Sequence, residues 1–265
     1  AVGEPLGRHM DVDMVSFTGS TETGRRFLRY SADSNLKKVV LECGGKNPAL
    51  VLADAENLDH VAEHVVNAAF WNGGQNCSAT SRLNVPRDDK APLMERITAR
   101  MRDWKTGDPL DPANHIGTMI DASHCEKVRG YLGTSDDGPF VMPTVIEAKP
   151  NDPAARDEIF GPVLAVIEVA STEEAIAVAN DTAYGLAASV FTDKARTALR
   201  TARDLRAGTV TVNCYGEGDM STPFGGYKQS GFGGRDNGLH AHDQYTELKT
   251  IWIDLTDPKE GDNVG

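Results

Sequence analysis

Two short segments of this chain carry residue types that could do covalent chemistry. In Gly74-Gln75-Asn76-Cys77-Ser78-Ala79 a cysteine follows a glycine turn. Upstream, Leu41-Glu42-Cys43-Gly44-Gly45-Lys46 sets a carboxylate beside two glycines. A thiolate is an intrinsically strong nucleophile, and a carboxylate can serve as base toward it or toward a water. Together Cys77 and Glu42 suit attack on a carbonyl carbon. The oxyanion formed in such an attack needs preorganised donors, and the backbone N–H of Cys77 can be one.

Some set of elements must bring these two segments to one place. Leu58, Val61, Ala62, Val65, Val66, Ala69 and Phe70 recur at helical spacing and stop at Gly73-Gly74, which puts Cys77 in a loop just past a buried-face helix. Glu42 ends a predicted strand over 38–42, and another strand follows over 48–52. Ahead of them a strand over 12–17 turns at Thr18-Gly19-Ser20-Thr21 into a helix over 22–31, capped by Ser20 or Thr21. Downstream, strands over 83–86, 141–146, 163–169, 187–191 and 209–213 are interspersed with helices over 90–104, 121–132, 171–179 and 194–205. The helix at 171–179 opens on the capping box Ser171-Thr172-Glu173-Glu174. Such alternation predicts an α/β fold with a mostly parallel sheet. Residues 216–238 are glycine-rich and aperiodic, which predicts a functional loop. Glu247-Leu248-Lys249-Thr250-Ile251-Trp252-Ile253-Asp254 reads as an apolar edge strand that needs another chain to cover it.

Bulk properties narrow the classes of function. The 265 residues include 39 acidic and 27 basic side chains, for a net charge of −12. With no basic block, this balance argues against nucleic acid and anionic membrane surfaces as partners. No apolar run is long enough to cross a bilayer, and a cytoplasmic protein is the expectation. Cys43, Cys77, Cys125 and Cys214 form no C-x-x-C pair, so neither a zinc site nor any other metal site is expected, and no disulfide framework.

Further segments follow the first two in a set order: Glu158-Ile159-Phe160-Gly161-Pro162-Val163, then Pro223-Phe224-Gly225-Gly226-Tyr227-Lys228-Gln229-Ser230-Gly231. The series resembles the NAD(P)-dependent aldehyde dehydrogenase superfamily over nearly the whole chain. The ending of the chain is most similar to the gamma-glutamyl-gamma-aminobutyraldehyde dehydrogenase branch, which oxidises aminoaldehydes. The resemblance implies that Cys77 attacks the aldehyde and that Glu42 activates the hydrolytic water. It assigns Gly19, Ser20 and Gly24 to the cofactor pyrophosphate, although the same Gly-Ser-Thr-x-x-Gly pattern alone reads equally as a capped helix start. It assigns Glu158 and Phe160 to the nicotinamide riboside, with His124 and Lys127 on a bordering helix. Phe224 would close the substrate funnel, and Glu217 and Asp219 at its mouth would draw a cationic substrate. Asp136-Asp137-Gly138 would replace a strand and loop by a tight turn. The second oxyanion donor of the family, an asparagine side chain, belongs to a segment preceding this one in relatives.

The expected organisation follows: residues 1–42 as the end of a Rossmann-like cofactor domain, 43–238 as the catalytic domain, and 239–265 as a tail with an oligomerisation strand. NAD is the expected cofactor, and the sequence does not separate it from NADP. A small aldehyde is the expected partner, in a homodimer or homotetramer. Two other functions stay open on the residues: a non-catalytic assembly or regulatory subunit of the same fold, and a relative that passes its thioester to coenzyme A or phosphate.

Overall fold

The computed structural model describes residues 2–135, 138–216 and 218–255. A short helix, α1 (Gly3–Arg8), precedes β1 (Met14–Thr18), α2 (Thr21–Ala32) and β2 (Lys38–Glu42). Then come β3 (Asn47–Val51), α3 (Leu58–Phe70), β4 (Thr80–Pro86), α4 (Arg87–Met101), α5 (Ala122–Leu132) and β5 (Thr144–Glu147). The chain continues through α6 (Pro153–Arg156), β6 (Val163–Val169), α7 (Thr172–Asn180), β7 (Ala187–Phe191), α8 (Ala195–Asp204) and β8 (Thr209–Val212). Short β9 (Gly231–Phe232) and α9 (Gly238–Asp243) follow.

The strands form two sheets. Six of them run parallel in the order β5-β6-β4-β3-β7-β8. Along β3, Ala49 and Val51 pack with α3 and α4, while Leu50 and Leu52 pack with α7 on the other face. A strand covered on both faces reads as an unbroken apolar run, as β3 and β6 do, and that is the signature of a parallel sheet with helices on both sides. In the smaller sheet β1 and β2 are parallel and β9 lies antiparallel beside β2. Its apolar face packs Val15, Val39 and Leu41 against Phe27 of α2.

The sequence expectations hold for the α/β class and the parallel sheet. Differences fall where side-chain pattern is weak. The helices α1, α6 and α9 are too short to show periodicity, and β9 has two residues, so none was predicted. The apolar segment over 247–254 is not a strand. A strand exists through its ladder, and no described segment pairs with this one; Leu248, Ile251, Trp252 and Ile253 are exposed, Trp252 at 92%. The expected turn at Asp136-Asp137 and the acidic Glu217 lie outside the described residues.

Candidate active site

The carboxyl ends of β1 and β2 and the loops before β4 and β6 line one cleft of about 440 Å³. Gly19 and Ser20 line it from the turn after β1, Glu42 from the end of β2, Cys77 from the loop before β4, and Glu158 and Phe160 from the turn before β6. Six residues expected from scattered sequence segments therefore share one space. Gly24, Phe224 and Asp219 are not among its lining.

Glu42 is 5% exposed, and among the described residues neither carboxylate oxygen has a hydrogen-bond partner. Burial, reinforced by the Asp236 charge and opposed by the Arg235 guanidinium, pushes its pKa up to about 8. The carboxyl is thus kept protonated well above the usual range, with an affinity for protons suited to a base acting near neutral pH. The β2 end that carries it is pinned. Cys43 N–H donates to Ser230 O at 2.8 Å, and Ser230 Oγ donates to Gly44 O at 2.6 Å. The adjacent Cys43 thiol is buried, which raises its pKa and makes it a poor nucleophile.

This burial has a thermodynamic consequence. Below the ordinary carboxyl value of 4.5 the group is neutral in both folded and unfolded chain. As pH rises toward 8 the unfolded chain ionises first, so stability is lost progressively, and above about 8 the full penalty applies. Glu42→Gln is neutral throughout. We expect its melting temperature to match the parent's near pH 4.5 and to exceed it by pH 8.5, for a difference on the order of 4 kcal/mol. A melting-temperature difference independent of pH would show that the carboxyl titrates normally in the folded chain.

Cys77 is half-buried and follows a single 3₁₀ turn, Trp71–Gly74, at the end of α3. Gly74 adopts a φ of +67°, and a side chain there would run into the Gly161 backbone, so glycine is required. Asn47, at the start of β3, clamps the loop. Its Nδ2 donates to Cys77 O at 2.8 Å and to Ala79 O at 2.9 Å, while Oδ1 accepts from Ala187 N–H at 3.0 Å. Arg82, buried in β4, donates to Lys46 O and to the Val178 and Ala179 carbonyls at the end of α7. A cation there satisfies helix C-terminal carbonyls while fixing the turn after Glu42. Sequence reading missed Asn47 and Arg82, since a polar residue inside an apolar strand carries no motif.

The Glu158 carboxylate is tucked against Gly44, where any side chain would overlap it, and accepts from Gly45 N–H at 2.9 Å. Burial raises its pKa, opposed by that hydrogen bond and by Lys127 and Lys46. Phe160 sits at a φ of +61°, a costly conformation for a non-glycine residue. Two side chains from α5 hold this turn: Lys127 Nζ donates to Glu158 O at 3.0 Å, and His124 Nε2 donates to Phe160 O at 2.6 Å. His124 and Lys127 thus organise the turn in addition to lining the cleft.

At the other end, Ser20 Oγ accepts from Thr23 N–H at 3.2 Å and caps α2. Gly19 N–H is used within the sheet, donating to Glu42 O at 3.0 Å. Any phosphate there must use the N–H groups of the first α2 turn. Gly24 is buried in α2, where a side chain would sit tight against the Cys43 thiol and Leu41, at 3.0 and 3.1 Å, so close packing also favours glycine there. Phe224 bridges Asp236 through paired backbone hydrogen bonds of 2.7 Å, and its neighbour Gly225 lies against the Glu42 carboxylate. Asp219 is exposed. Its carboxylate accepts from Ser221 N–H and Oγ, which lowers its pKa and organises its own loop.

Among the described residues no cluster of three or more metal-ligating side chains occurs, and no helix is long and apolar enough to cross a membrane.

The chain is similar to known proteins over nearly its whole length. The aldehyde dehydrogenase family profile matches residues 1–251. The chain is 61% identical over 96% of its length to an aminoacetaldehyde dehydrogenase of Pseudomonas aeruginosa. It is 43% identical, again over 96%, to the NADP/NAD-dependent aldehyde dehydrogenase PuuC of Escherichia coli. It spans 54% of each of these proteins, about half the length of the curated relatives it matches. A solved structure of gamma-glutamyl-gamma-aminobutyraldehyde dehydrogenase from Burkholderia cenocepacia superposes with a TM-score of 0.90 at 48% identity, over 93% of this chain and 53% of that one. The chain belongs to the aldehyde dehydrogenase family.

Proposed function

We propose that this chain carries the nucleophile, the base and the nicotinamide-binding part of an NAD(P)-dependent dehydrogenase that oxidises an aminoaldehyde to its carboxylic acid. The observation that carries the reading is the shared cleft: Cys77, the buried Glu42 carboxylate, the α2 N-terminus and the Glu158-Phe160 turn all open on it.

The residues present fit the cofactor. The cleft is of the size that holds a small ligand, and it runs from a helix N-terminus suited to a pyrophosphate to a carboxylate and an aromatic suited to a nicotinamide riboside. Gly19, Ser20, Glu158 and Phe160 would hold it. When bound, NAD(P)+ accepts the hydride that leaves the substrate carbon.

Cys77, as thiolate, bonds to the aldehyde carbon, and the carbonyl electron pair moves onto oxygen. The Cys77 N–H stabilises that oxyanion. The oxyanion re-forms its carbonyl as hydride departs, leaving an acyl thioester on Cys77. Glu42 takes a proton from a water that attacks the thioester, the C–S bond breaks, and the acid and the free thiol are restored. This step separates the reading from acyl transfer to coenzyme A or phosphate, for which a buried base of raised pKa has no task.

The names of two relatives and the acidic chain support an aminoaldehyde substrate. Asp219, although engaged with Ser221, keeps its charge at an exposed loop and would attract an ammonium group. Aminoacetaldehyde and propanal have the same heavy-atom chain length, so their comparison isolates charge. The expected result is a several-fold higher kcat/KM for aminoacetaldehyde, reduced by Asp219→Asn on that substrate alone. Equal values for the two aldehydes in the parent enzyme would refute the substrate assignment.

The change of sheet between β2 and β3 supports the division at 42/43, with β9 reaching back to complete the smaller sheet. The division at 238/239 stands as part of the same proposal. The exposed Ile251, Trp252 and Ile253 support pairing of this tail with a second copy, in a homodimer or homotetramer. A cytoplasmic location completes the reading.

A further inference from the structure

Behind Cys77 lies a ring of polar side chains that the reaction above does not use. The Cys77 thiol donates to Asn76 Oδ1 at 3.8 Å, and the same oxygen accepts from Ser78 N–H at 3.4 Å. Because a backbone N–H can only donate, that contact fixes which end of the Asn76 amide faces the sulfur. The other end, Nδ2, donates to Ser78 Oγ at 3.0 Å and to the Tyr215 hydroxyl at 3.0 Å. Ser78 Oγ and Tyr215 OH share a proton at 3.2 Å. Tyr215 is itself anchored, since its backbone N–H donates to His64 Nδ1 on α3 at 3.2 Å.

A carbonyl oxygen turned toward a sulfur stabilises S–H and repels S⁻, whereas an amide NH₂ in the same place would do the reverse. Half a turn about the terminal Asn76 torsion exchanges the two. Opposing that turn are the Ser78 N–H bond and the two Nδ2 donations. Taking Cys77 as the nucleophile, we infer that Tyr215 is a positioning residue that locks Asn76 with its carbonyl toward Cys77 and so keeps the resting thiol protonated. The lock links the glycine-rich loop after β8, where Tyr215 sits, to the reactivity of the nucleophile. A ligand that moves Tyr215 frees the amide to turn its NH₂ to the sulfur, and the thiol proton passes to water.

The test reads thiol protonation directly and needs no turnover, so its failure is separable from failure of the dehydrogenase reading. The rate of Cys77 carbamidomethylation by iodoacetamide is measured against pH, with peptide mass spectrometry resolving it from the exposed Cys214. The other titratable groups that share the cleft, Glu42, Cys43, His124, Lys127 and Glu158, are unchanged in every variant, as is His64 behind Tyr215. Tyr215→Phe removes one of the two acceptors of the Asn76 amide, leaving Ser78 Oγ. Its expected effect is an apparent Cys77 pKa at least half a unit lower, about a threefold gain in alkylation rate below the pKa. Asn76→Asp, which places a carboxylate against the sulfur, should shift the pKa upward by at least as much. In Tyr215→Phe/Asn76→Ala the Tyr215 effect should vanish relative to Asn76→Ala alone. Unequal Cys214 rates would expose a variant that has lost its fold, and Asn76→Asp then decides by itself. A Cys77 pKa unmoved or raised by Tyr215→Phe in a folded variant, or unmoved by Asn76→Asp, overturns the inference.

Discussion

In a protein of the relatives' full length that carries this chain, Cys77→Ala should lower aldehyde oxidation by roughly a thousandfold or more, to the level of the uncatalysed background. The loss follows from placement. Of the four thiols, Cys77 is the half-buried one in the cleft loop; Cys43 and Cys125 are buried, and Cys214 is exposed away from the cleft lining. Burial holds the Cys43 thiol protonated, so it cannot substitute. Titration of NAD(P) binding should be little changed, because the groups assigned to the cofactor stand on other elements. Turnover within tenfold of the parent would mean that another residue forms the covalent bond.

Much of this site was legible because glycines and the reactive residues are contiguous. Gly44-Gly45 and Gly73-Gly74 mark turns, and each turn sits beside a residue able to do chemistry. The strands β6 and β7 are legible over their observed bounds because each is a short, mostly apolar and buried run. Legibility fails where the decisive contact is between residues far apart in sequence. Nothing near Asn47 announces that its amide will clamp the Cys77 loop, and nothing near Ser230 announces that it will bind Gly44. Gly24 shows that one position can carry two readings. The motif assigns this glycine to a ligand, while the nearby Cys43 thiol gives it a packing reason as well. The 247–254 segment is a different case: strand propensity lies in the segment, but a ladder also requires a partner edge.

Glu42→Gln should divide the reaction in two. The first hydride transfer uses Cys77 and the oxyanion donor, and it should survive as a burst of one reduced cofactor per site. Hydrolysis of the thioester loses its base and should slow by about 10²–10³-fold. The parent's hydrolysis rate should climb with pH and level off above about 8, where the buried carboxyl is ionised and can accept a proton. The variant should lack that limb. Loss of the burst itself would place Glu42 in thiol activation.

The same variant supplies the most direct measurement of the central claim, a covalent acyl enzyme at Cys77. Glu42→Gln is mixed with an aldehyde and NAD(P)+, quenched in acid within the slow phase, digested, and the cysteine peptides weighed by mass spectrometry. A mass increase equal to the acyl group is expected on the peptide containing Cys77, at near one per chain, and none when the cofactor is omitted. An acyl group on the peptide of Cys43, Cys125 or Cys214, or no adduct while reduced cofactor accumulates in a burst, would contradict it.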